Sequence, residues 1–85
     1  MKTAEDIKNW VETCKGATIE MGTPCGMVLL CSDKRAYDRA VAEGHCALSP
    51  SEILHACNVR PEEAYEWLRN VAAWKRAFAG TRVTG

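Results

Sequence analysis

The stretch ATIEMGTPCGMVLLC, residues 17–31, admits two readings, and the fold of the chain turns on the choice between them. In the first, it joins the end of one helix to the start of another. Ile7, Trp10, Val11, Cys14, Thr18 and Met21 recur at spacings of three and four, the period of one helical face, and Gly22 supplies a left-handed stop. Thr23 and Pro24 then form a cap and a first helical position, and Met27, Leu30, Cys31, Tyr37 and Val41 share a face of a helix running to Gly44. In the second reading, ATIEM and MVLLC pair as strands across GTPCG, and a shorter helix starts from Ser32 as its cap. Gly16, poor in a helix interior, then ends the first helix early. A lone two-stranded hairpin is weakly stable, whereas Gly22, Gly44 and Gly80 punctuate a helical scheme consistently. The expected fold is therefore all-α, a compact four-helix domain with helices near residues 4–21, 24–43, 50–57 and 61–79. The alternative is an α+β fold with a small β-hairpin at residues 17–31.

The flanking helices are better signalled. Thr3 can cap the amide of Asp6, with Glu5 and Asp6 in the positive first turn. Ser49, Pro50, Ser51 and Glu52 spell a capping box with proline at the first helical position, ahead of an inward stripe of Ile53, Leu54 and Cys57. A final helix from Pro61 to about residue 79 places Ala64, Trp67, Leu68, Val71 and Phe78 on one face. The expected core is Trp10, Val11, Leu30, Ile53, Leu54, Trp67, Leu68 and Val71, and the tail TRVTG is expected to be loose.

Length and composition bound the function. The 85 residues read as a single small helical domain, 47% hydrophobic and 26% charged, with one modest core that oligomerisation could supplement. The net charge of zero offers no long-range attraction to nucleic acid or anionic membrane. The charge is unevenly spread, because Arg69, Lys75, Arg76 and Arg82 stand in a C-terminal stretch without acids. Lys2, Glu5, Asp6 and Lys8 interrupt the apolar run that a signal peptide needs, and no stretch approaches the roughly 20 residues that span a bilayer. No membrane partner is expected, and the expected location is cytoplasmic. The five cysteines, an odd number, argue against a disulfide framework and read as small buried apolar residues.

Residues 51–68 resemble the helix-turn-helix superfamily in a generic way. Apolar Ile53 and Leu54, the turn residue Asn58, Val59 after it, and Ala64 and Trp67 in the second helix carry the likeness. Leu54 stands where a small alanine is usual, and Asn58 replaces the usual turn glycine. The resemblance implies a DNA-binding transcriptional regulator whose second helix enters the major groove with Arg60 and Arg69 as its useful contacts. Against it, that helix opens with Glu62, Glu63 and Glu66, which phosphates repel. A second version of DNA binding uses another surface, where Trp74, Lys75, Arg76 and Arg82 form a basic, aromatic end that lies on phosphates.

No catalytic signature is present, and the chain is read as not an enzyme, without cofactors. Cys25, Cys31, His45, Cys46, His55 and Cys57 lack a Cys-x-x-Cys knuckle, so no metal site is expected. The acidic residues clustered around the turn, Glu52, Glu62, Glu63 and Glu66, beside Tyr65 on the same outward side, suit a basic or nucleic-acid-binding protein partner, with Glu62, Glu63, Tyr65 and Glu66 as its contacts. The favoured expectation is a small non-catalytic regulator or inhibitor acting through that surface, a class common among phage and mobile-element proteins.

Overall fold

The computed structural model describes residues 3–80. Its elements in chain order are α1 (Ala4–Thr13), β1 (Thr18–Thr23), β2 (Gly26–Cys31), α2 (Lys34–Ala42), β3 (Ala47–Leu48), α3 (Pro50–Val59), a 3-10 turn (Pro61–Glu63) and α4 (Ala64–Gly80). The all-α expectation is corrected to α+β, and the hairpin alternative is the one that fits. The expected helix 4–21 stops at Thr13, and the expected helix 24–43 shrinks to Lys34–Ala42.

The hairpin stands because it is not alone. β1 and β2 pair antiparallel from Thr18↔Cys31 to Thr23↔Gly26, and β3 adds to the far edge of β2 in parallel, Leu29↔Ala47 and Leu30↔Leu48. The connection through α2 makes β2, α2 and β3 a crossover unit, and β2 becomes the central strand. Val28 and Leu30 point to one face of it and pack with Ile7, Val11, Met21, Leu48, Ile53, Ala56 and Leu68. Cys31 points to the other and packs with Ala36, Ala40 and Ala47, with Leu29 and Tyr37 against them. From Val28 to Cys31 the strand is thus covered on both faces, which gives a continuous apolar run instead of alternation, while Met27 at its start stays exposed. The sheet lies between α2 on one side and α1, α3 and α4 on the other.

The turn is Thr23-Pro24-Cys25-Gly26. The Thr23 hydroxyl donates to the Gly26 carbonyl at 2.6 Å and accepts the Cys25 amide at 3.2 Å. No non-glycine residue among those described has positive φ, so the twist of the hairpin is taken up at Gly26, whose φ is 132°.

Caps set the helix ends as their chemistry requires. Thr3 accepts the Asp6 amide, and the Ser49–Glu52 box is closed in both directions. Gly44, at φ 89°, ends α2, with its amide donating to Val41 and that of His45 to Ala40, the paired bonds of a Schellman stop. The cap of α2 is Asp33 and not Ser32. The Asp33 carboxylate accepts the Ala36 amide and, with its other oxygen, the Gly16 amide, both at 2.8 Å. The Ser32 hydroxyl instead accepts the Ala17 amide at 2.9 Å, so the strand entry is pinned from two adjacent side chains.

Of the expected core, Val11, Leu30, Ile53 and Leu68 are buried, while Trp10, Leu54, Trp67 and Val71 are half-buried against it. Phe78, Val41 and Met27, assigned to inward faces by helical spacing, are exposed. For Met27 and Val41 the cause is the replacement of one long helix by a strand and a short helix, which resets the faces.

Candidate binding surface

The surface singled out in the sequence lies where α3 passes into α4. The proline ring of Pro61 fixes its own φ, and the chain makes one 3-10 turn before the α-helical pattern takes over at Ala64. Arg60 closes α3 by donating its amide to the Ala56 carbonyl, and its guanidinium lies over the Trp67 ring, 5.2 Å from the centroid. Glu62, Glu63, Tyr65 and Glu66 are all exposed, the first two on the 3-10 turn and the other two on the first turn of α4. Among the described residues none of these three carboxylates forms an ion pair, whereas Lys34–Asp38 and Lys75–Glu52 are paired.

Glu52 does not belong with them. It sits at the start of α3, where its Oε1 accepts from the Ser49 amide at 3.0 Å and from Lys75 Nζ at 2.9 Å. The same ammonium approaches the Tyr37 hydroxyl at 3.4 Å and the Tyr37 ring at 5.2 Å. Burial works against the Glu52 carboxylate, but the Ser49 hydrogen bond and Lys75 outweigh it and hold its pKa below the usual range. Burial likewise opposes the Lys75 charge, and Glu52 and Tyr37 outweigh it and raise the pKa. This three-helix link joins residues 23 and 38 positions apart and had no local signal in the sequence.

Of the four described residues assigned to nucleic acid, three contact other parts of the chain. Arg60 stacks on Trp67, Lys75 is committed to Glu52, and Arg76 lies against the hairpin. There a Cβ on Gly26 would stand 2.5 Å from Arg76 Nε. Arg69 is exposed and shares a shallow depression with Pro24, Glu66, Asn70 and Ala73. Arg82 lies outside the described residues.

Between α3 and α4 runs an open groove of about 420 Å³, lined by Ser51, Glu52, His55, Ala56, Trp67 and Val71. A second depression on α4 is lined by Trp67, Asn70, Val71 and Trp74. Sequence reasoning missed this feature because it counted Trp67 and Val71 as core. Among the described residues no group of three or more His, Cys, Asp or Glu side chains comes together as a metal site. Cys31 and Cys57 are buried on opposite sides of the sheet, and burial pushes both thiols up in pKa. No helix among the described residues is long and apolar enough to cross a membrane. Comparison with protein-family models, with curated proteins and with solved structures returned no match to this chain.

Proposed function

We propose that this chain is a small non-catalytic protein of the cytoplasm that binds another protein through the acidic surface at the α3–α4 junction, with regulation or inhibition as the effect. The observation that carries the reading is the set of three exposed carboxylates, Glu62, Glu63 and Glu66, without ion-pair partners among the described residues and beside Tyr65. Charges left without ion-pair partners on an exposed turn complement a basic surface, such as that of a nucleic-acid-binding protein, and steer its approach. Five cysteines all present as free thiols support a reducing location.

DNA-binding regulation is the competing reading, and Lys75 and Arg76, two of its five contacts, are held against the chain itself. Reversing Glu62, Glu63 and Glu66 to Lys separates the two. The protein reading expects a partner captured by the wild-type chain in low salt to be lost by the variant. The DNA reading expects the variant to bind duplex DNA more tightly, with a steeper salt dependence. Unchanged capture by the variant would sink the proposal.

A further inference from the structure

Helix α4 carries a second apolar stripe beside the one that faces the core. Ala64, Leu68 and Ala72, four residues apart, are buried. Trp67, Val71, Trp74 and Phe78 follow at intervals of four, three and four, which at about 100° per residue sets them within an arc of about 60° next to the buried set. Trp67 and Val71 are half-buried beside α3, while Trp74 is 72% and Phe78 76% exposed.

We propose that this stripe is the interface of a homodimer, in which the α4 helices of two copies pack antiparallel about a two-fold axis between Val71 and Trp74. The spacing is a palindrome. Antiparallel packing sets Trp67 level with the partner's Phe78 and Val71 level with the partner's Trp74, so each large side chain meets an apolar one, as an isologous interface requires. The depression beside Val71, lined also by Trp67, Asn70 and Trp74, has a volume of about 250 Å³ and can take an indole ring from the second copy.

The area is of the right order. Two aromatic side chains three-quarters exposed offer roughly 300 Å², and Trp67 and Val71 extend the patch into the range that marks interaction sites. Two copies then bury about 1,000 Å² in total, at the lower limit for a specific interface, so the dimer is reversible. The helix dipoles favour the same orientation, since antiparallel packing sets unlike ends of the two α4 helices together. Tyr65 lies about 150° and Glu66 about 110° around α4 from the centre of the stripe, so the interface is centred away from both and does not depend on the function proposed above.

The test is sedimentation equilibrium of the full chain from micromolar to millimolar concentration. The expected mass rises from 9.4 kDa toward twice that value. Trp74→Glu and Phe78→Glu each weaken association by at least about tenfold with unchanged far-UV circular dichroism, since both positions are exposed in the monomer. The double variant Val71→Lys/Trp74→Glu places opposite charges across the axis and associates more tightly than Trp74→Glu alone. A wild-type chain that stays monomeric at millimolar concentration, a Trp74→Glu chain that dimerises as the wild type does, or a double variant no tighter than the single one would each overturn the proposal.

Discussion

Lys75 on α4 donates from Nζ to Glu52 Oε1 at 2.9 Å, and Glu52 accepts the Ser49 amide with the same oxygen. One carboxylate therefore closes the capping box of α3 and ties that helix to α4. The two side chains are 33% and 36% exposed, so solvent screens the pair in part. Lys75→Met is expected to lower stability by about 1 kcal/mol. A double-mutant cycle with Glu52→Gln, read by urea unfolding, is expected to show positive coupling of similar size. Additive losses would mean that the pair contributes nothing.

The pH dependence of that pair has two limits. Glu52 has a lowered pKa in the folded state, so its contribution is present above the ordinary carboxylate value and is lost as pH falls through the folded one. Lys75 has a raised pKa, so its contribution is present below the ordinary lysine value and is lost as pH rises through the folded one. The stability difference between wild type and Lys75→Met is expected to hold across neutral pH and to shrink at both extremes, in urea titrations run across the pH range.

Asp33 holds the cap of α2 and the Gly16 amide at once, and these two hydrogen bonds, that to Ala36 first, lower its pKa. Its contribution is present above the unfolded value and is lost as pH falls through the lower folded value. Asp33→Ala is expected to lower the urea midpoint at pH 7, and the difference from wild type is expected to fade in acid. A difference that persists at pH 2 would assign the loss to packing instead of the carboxylate.

Gly26 has a φ of 132°, and a Cβ there would stand 2.5 Å from Arg76 Nε. Gly26→Ala is expected to cost about 1–3 kcal/mol through backbone strain, with the clash adding to it. Combining it with Arg76→Ala relieves only the clash, so a double variant that recovers full wild-type stability would show that the strain is absent.

Leu48 is fully buried on the two-residue strand β3, and Leu30, its partner on β2, is 1% exposed. Leu48→Ala is expected to cost about 2–5 kcal/mol, the range for an emptied core site. A loss well below 1 kcal/mol, measured by urea unfolding, would mean that β3 does not hold the hairpin in place.

What the sequence by itself determined was decided within a few residues of each position. Thr3, the Ser49–Glu52 box and Gly44 mark helix ends because a side chain or a left-handed backbone satisfies amides and carbonyls one turn away. The course of α3 and α4, and the buried places of Ile53 and Leu68, follow from the same local period. The acidic turn was legible too, since Glu62, Glu63, Tyr65 and Glu66 are close in the chain and remain exposed.

The rest was decided by contacts between distant residues. Met21 fits the helical spacing of Cys14 and Thr18 yet pairs across the hairpin with Val28, and MVLLC, apolar throughout, carries no period at all. What chose the strand was burial on both faces, by α2 and by α1, α3 and α4, together with the backbone pairing of Leu29 and Leu30 to Ala47 and Leu48, eighteen positions on. A two-residue strand has no signal of its own. The meeting of Glu52 with Lys75, and the emergence of Trp74 and Phe78 into solvent, depend likewise on where α4 lies against its neighbours, which only the packed tertiary structure specifies.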